Sequence, residues 1–271
     1  MLRTADWTYL DLEKTGCSFL TRKLRRICEG AKFVKEKKHS RPKVVDSTPK
    51  ILTIRQPFLW YFSLWSYGLD GCGKFFRSFT KLHPKSASLA YGSKSKDSFS
   101  YFLDFTLSHN LISPASNQNT RLPFSCDVYT SRILTMLVPA EKLPEFNGTI
   151  SGNLSYDSIA KALNPFLPEV VIRTSTLNND FYAYASSGRL SFLNLKSDWQ
   201  EDFPLESEQR NVSSLSSSNT SLDKVLSSSN TSLDKVQDYC SDYHRSLLAE
   251  KSHTASYLLD EGQVKIANLS N

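Results

Sequence analysis

Residues Trp7 to Gly30, WTYLDLEKTGCSFLTRKLRRICEG, constrain the fold more than any other stretch of the chain. Trp7 to Leu12 mixes apolar and polar residues as a short strand does. Glu13-Lys14-Thr15-Gly16 follows as a tight polar turn. Beyond it Leu20, Leu24, Ile27 and Ala31 fall at helical spacing, with Arg22, Lys23, Arg25 and Arg26 on the other side and Gly30 as a C-cap. The first amides of a helix have no partner within it, and its dipole favours negative charge. A strand turning through a Lys/Thr/Gly/Ser loop into such a helix is therefore a ready anion site, with Lys14 adding a full charge. An ordinary strand-loop-helix with a solvated lysine fits the same residues, and the stretch alone leaves both readings open.

A second unit repeats this logic. Ile51 to Ile54 is a β-branched strand ending at Arg55, and Pro57 sits where the first turn of a helix tolerates it. Phe58 to Tyr67 is a densely aromatic helix stopped by Gly68, apolar nearly all round and so expected to be buried. Ser63 and Ser66 stand out in it. The ordinary account of Ser63 is a hydroxyl bonded back to a carbonyl one turn earlier.

Ala31 to Lys50 reads as a basic surface connection with a short strand at Val44-Val45, and Leu69 to Lys96 as a loop marked by Gly71, Gly73, Pro84 and Gly92. Asp97 to Leu111 is helical, its stripe of Phe99, Phe102, Leu103, Phe105 and Thr106 belonging to the core. Ser113 to Pro123 is a loop. Asp127 to Leu137 is a helix capped by Ser125 or Asp127. Pro139 to Ser155 is irregular and Ser158 to Leu163 a short helix. Glu169 to Thr174 is a buried strand, Leu177 to Ala185 a helix, and Leu190 to Leu195 a strand or loop edge. Strands alternating with helices imply an α/β protein with a mainly parallel sheet.

Glu206 to Val236 differs in kind. LSSSNTSLDKV at Leu215 to Val225 recurs letter for letter at Leu226 to Val236. Two copies without an apolar face do not make a solenoid, and the composition is that of a surface loop. The chain thus divides into a core over 1–205, this Ser-rich segment over 206–236, and a helical segment over 237–271 that returns to the core.

The formal charge of +6 suits a polyanionic ligand but equally a solvated basic surface. Five cysteines, odd in number and without a CxxC pair, indicate neither a disulfide framework nor a zinc site. Cys17 and Cys28, 11 residues apart on one helix, are separated by roughly 16 Å and cannot bond. Reduced thiols, no signal-peptide core in residues 1 to 20 and no uninterrupted apolar span lead to the expectation of a cytoplasmic protein. Without a secretory route the six Asn-x-Ser/Thr sequons carry no weight.

Two segments together resemble a known family. KTGCSFLTRKL, Lys14 to Leu24, is similar to the 5′-phosphosulfate loop of the sulfotransferases that use 3′-phosphoadenosine 5′-phosphosulfate (PAPS), closest to the carbohydrate type. IRQPFLWYFSLWSYG, Ile54 to Gly68, resembles their 3′-phosphate motif, with Arg55 and Ser63 at its eight-residue separation. VIRTSTLNNDF (Val171 to Phe181) and DYCSDYHRSLL (Asp238 to Leu248) are weaker echoes of the family's third strand and C-terminal helix. The resemblance implies a P-loop-like three-layer fold, PAPS as sulfuryl donor without a metal, and a hydroxyl acceptor of carbohydrate class rather than nucleic acid. Glu13 replaces the family's usual proline, Ser175 its glutamate, and the Golgi membrane anchor is not seen.

On that resemblance Lys14 would neutralise the leaving 5′-phosphate. The amides of Gly16, Cys17, Ser18 and Phe19, with the Thr15 and Ser18 hydroxyls, would hold it. Arg55 would fork the 3′-phosphate with Ser63 as a further donor. Sulfuryl transfer, like phosphoryl transfer, asks chiefly for positioning and charge stabilisation. His39 is the candidate base for the acceptor hydroxyl, against the alternative of a solvated surface histidine. Glu36, Asp46, His83 and His109 are weaker candidates; on the resemblance Asn219 or Asn230 would match the family's late Asn-x-Ser contact to the nucleotide, against the alternative of a disordered low-complexity segment. Two other functions stay in view: a non-catalytic polyanion- or glycan-binding protein on a degenerate sulfotransferase fold, and a P-loop kinase. The kinase lacks its G-x-x-x-x-G-K-[ST] loop.

Overall fold

The computed structural model describes residues 1–36, 39, 41–42, 45, 47–108, 128–151 and 161–204. Five strands form one sheet: β1 (Leu2–Arg3), β2 (Thr8–Leu10), β3 (Val34–Lys35), β4 (Lys50–Ile54) and β5 (Val170–Arg173), in the order β3-β1-β2-β4-β5. The central pairings, β2 with β4 and β4 with β5, are parallel; the two-residue strands β1 and β3 add antiparallel edges. The protein is thus α/β with a mainly parallel centre.

Side chains of a strand alternate between faces, and the register aligns that alternation across the sheet. Tyr9 lies beside Ile51 and Ile51 beside Val170, a row that enters one core with Leu20, Leu24 and Ile27 of α1 (Cys17–Ile27). Leu10, Leu52 and Val171 form the next row and enter the other core. That second core is aromatic. It is built by α2 (Pro57–Leu69), α3 (Lys74–Leu82), α4 (Pro84–Tyr91), α5 (Lys96–Ser108) and α6 (Val128–Leu137). Two further helices are α7 (Leu143–Ser151) and α8 (Leu177–Ser186), with Leu177 and Phe181 of α8 in the first core, and residues 161–163 are also helical.

Several expectations need correction. Leu69 to Lys96 is not a loop but holds α3 and α4. Its Gly and Pro residues mark helix ends: Gly73 precedes α3 with φ 92°, Pro84 opens α4, and Gly92 closes it. The irregular segment after Pro139 contains a 3-10 turn and α7. Helix α1 stops at Ile27, where Cys28 turns extended and bridges to Leu195, so Gly30 is not its cap and Ala31 lies beyond it. Within Leu190 to Leu195, Ser191–Leu193 form a 3-10 turn and Leu195 makes an isolated bridge. Of the expected strand at Val44-Val45, Val45 is described and lies in no strand. Val44, the loop over 113–123, the caps at Ser125 and Asp127, half of the helix over 158–163, and all of 206–271 with its duplication lie outside the described residues, as do Cys126 and Cys240. Cys17, Cys28 and Cys72 are free thiols. No helix among the described residues is long and apolar enough to cross a membrane.

Candidate functional site

Lys14 and Arg55 follow β2 and β4, neighbouring parallel strands, so chain direction alone brings both to the same end of the sheet. In an α/β sheet that end carries the crevice between strand tips. Arg55 Nη1 donates to the Lys14 carbonyl at 3.2 Å. The carbonyls before it are also held: that of Glu13 accepts Trp60 Nε1 at 2.6 Å, and that of Leu12 accepts the Thr15 hydroxyl at 2.7 Å. Three consecutive carbonyls are thereby fixed by side chains, and the turn can keep Lys14 at φ 64° and Gly16 at φ 73°, both left-handed.

A relay of hydroxyls ties the same turn to β4. Thr15 Oγ1 lies 2.7 Å from Thr53 Oγ1, which lies 2.9 Å from the Tyr9 hydroxyl. Each hydroxyl has one proton. Thr15 gives its proton to Leu12, so it accepts from Thr53, which in turn accepts from Tyr9. Thr15 is fully buried, and its hydroxyl serves this relay rather than facing a phosphate as the resemblance implied. Ser18, in contrast, is exposed in the first turn of α1, and no side chain caps that helix. The first amides of a helix find no partner within it. Cys17 is buried against the first core and Phe19 is half-buried beside the Lys23 ammonium.

The two cations are both partly withdrawn from water. Burial, then the neighbouring Arg55, pushes the Lys14 ammonium below its ordinary value, and its Nζ lies 3.9 Å from the centre of the Tyr67 ring. Burial likewise lowers Arg55, although a guanidinium stays protonated. Among the described residues no carboxylate stands within ion-pair distance of either. Glu13 and Asp70 favour the Lys14 charge only from beyond that distance, so the two neighbouring cations lack a direct ion pair.

Ser63 is half-buried on α2, four residues before Tyr67 and hence on the same helix face. Its hydroxyl makes no hydrogen bond to a described residue. The back-bonded account of Ser63 is thus not what the structure has, whereas Thr106 and Thr135 do bond to the carbonyl four residues earlier.

His39 comes to the same end of the sheet. Its amide donates to Asp11 Oδ1 at 3.0 Å and its Nδ1 lies against the Asp11 carbonyl, three residues before Lys14. A carbonyl only accepts, so Nδ1 carries a proton, and the Asp11 carboxylate lies 4.0 Å from the same nitrogen. Of the weaker base candidates, Glu36 pairs with Arg3 and His83 sits between α3 and α4 against Phe79 and Phe105. Asp46, His109, Asn219 and Asn230 lie outside the described residues, and Ser175 falls in a 3-10 turn after β5.

Two site neighbours escaped the sequence reading, Tyr129 and Arg132 of α6. The Tyr129 hydroxyl donates to the Arg55 carbonyl at 2.6 Å and accepts the Arg55 amide at 3.2 Å. Arg132 Nε lies 3.1 Å from Glu13 Oε1. Both lie more than seventy positions from their partners, and nothing local to α6 marks them. Among the described residues no cluster of three or more His, Cys, Asp or Glu could hold a metal. Comparison with protein-family models, curated proteins and solved structures finds no match for this chain.

Proposed function

We propose that this chain is a PAPS-dependent sulfotransferase, moving a sulfuryl group to a hydroxyl acceptor of carbohydrate class on a P-loop-like three-layer fold. One observation carries the reading: Lys14 and Arg55, the residues singled out by two separate motifs, follow adjacent parallel strands, the Arg55 guanidinium bonds the Lys14 carbonyl, and neither cation forms an ion pair with a described carboxylate. A ligand with phosphates at both ends of one adenosine matches two cationic corners better than a single phosphate does. Lys14 would neutralise charge growing on the leaving 5′-phosphate while the first amides of α1 hold it. Arg55 and Ser63 would take the 3′-phosphate. His39, held at the Asp11 backbone, would accept the acceptor's proton. No metal is called on.

Calorimetric titration with adenosine 3′,5′-bisphosphate, followed by transfer of labelled sulfate from PAPS to a glycan panel, tests this. Lys14→Ala and Arg55→Ala should each weaken nucleotide binding at least about tenfold, as loss of a charge-assisted phosphate contact does. Wild-type protein that ignores the bisphosphate, or variants that bind as well as wild type, would reject the proposal. Glycan binding that persists without nucleotide, alongside no turnover, would favour the non-catalytic polyanion binder.

A further inference from the structure

Glu13 is the residue least suited to an anion-binding loop, since it sets a carboxylate directly before Lys14. Its Oε1 lies 3.1 Å from Arg132 Nε, and the Glu13 side chain is only 17% exposed. That oxygen is buried yet makes no hydrogen bond, so charge rather than an aligned N–H holds it. Arg132 stands three residues after Tyr129, on the same side of α6. One turn of that helix therefore reaches both corners of the site: Tyr129 grips the backbone of Arg55, and Arg132 takes the carboxylate beside Lys14.

We infer that Arg132 is the counter-charge that lets this loop accept an anion despite Glu13. It is a positioning residue that acts on the ligand through Glu13. With Arg132 in place the pair is neutral, and the field around Lys14 and the start of α1 stays positive. Without it a buried carboxylate faces the incoming phosphate from the neighbouring residue, where charges act strongly. The inference rests on the nucleotide-binding reading given above and adds to it a residue that the family resemblance does not supply.

The test is a charge-swap cycle on the full chain, titrating adenosine 3′,5′-bisphosphate into wild type, Arg132→Gln, Glu13→Gln and the double variant. Arg132→Gln should weaken binding at least about tenfold, the scale of one uncompensated charge at short range. Glu13→Gln should bind as tightly as wild type or more tightly, and the double variant should return to within about threefold of Glu13→Gln. Arg132→Lys should keep most of the affinity. A merely structural Arg132 would leave the double variant as weak as Arg132→Gln alone, and that result overturns the inference, as does wild-type affinity in Arg132→Gln. Thermal unfolding without ligand shows which variants fold. Should Arg132→Gln fail to fold, a double variant that folds but does not bind overturns the inference, and one that binds supports it. A wild type that does not bind the bisphosphate overturns this inference and the nucleotide reading together, whereas a wild type that binds with an unrecovered double variant overturns only the role of Arg132.

Discussion

At the scale of single residues the site is a compromise between binding and stability. Lys14 holds its proton less readily in the folded protein, first because it is buried and then because Arg55 is near. A lysine lowered on folding binds fewer protons in the native than in the unfolded state between its lowered value and the ordinary 10.5. Stability it costs at neutral pH is therefore regained as pH rises through that window. Urea denaturation across the alkaline range should show wild type gaining on Lys14→Met as pH rises, and parallel curves would refute this. The Tyr9–Thr53–Thr15 relay is uncharged and its effect is read as stability. Thr53→Val keeps the shape but leaves the fully buried Tyr9 hydroxyl without its acceptor. It should cost about 1–3 kcal/mol in denaturant titration.

At the scale of elements, the site depends on how α2 and the turn before α1 are seated. Gly68 lies in α2 where a Cβ would come within 2.4 Å of Tyr91 Cε1. The Tyr91 ring cannot retreat easily, because Phe76, Phe79 and Phe102 surround it. Gly68→Ala should therefore destabilise by about 1–3 kcal/mol as an overpacked contact, measurable by thermal or chemical unfolding. At Gly16 the added Cβ would meet only ordinary contacts, 3.6 Å from Leu177 and 3.8 Å from Thr174, but φ is 73°. Gly16→Ala should cost about 1 kcal/mol, almost wholly backbone strain, and should weaken bisphosphate binding by moving the first amides of α1. The elements that carry Lys14 and Arg55 were legible in the sequence because each is short-range: a β-branched run, a turn, then apolar residues at helical spacing. Helices α3 and α4 were not, since Gly71, Gly73, Pro84 and Gly92 punctuate helix ends as readily as they populate loops.

For the whole molecule, the parallel strands β2, β4 and β5 are shared by two cores, so a ligand at their tips binds only the folded form. Bisphosphate at a hundredfold excess over its Kd should add about 2.7 kcal/mol to unfolding stability, read as a rise in Tm. Arg55→Ala should lose that rise, and a rise that survives would place the ligand elsewhere. The sequence by itself determined the two strand-turn-helix units, the residues at their tips and the alternation that sorts side chains between two faces, because these follow from neighbours along the chain. Only the tertiary structure decided that β2 and β4 lie side by side, that Thr15 turns its hydroxyl inward, and that Tyr129 and Arg132 reach across from α6. Those contacts join residues tens of positions apart, and their partners are chosen by packing and charge, which no local pattern records.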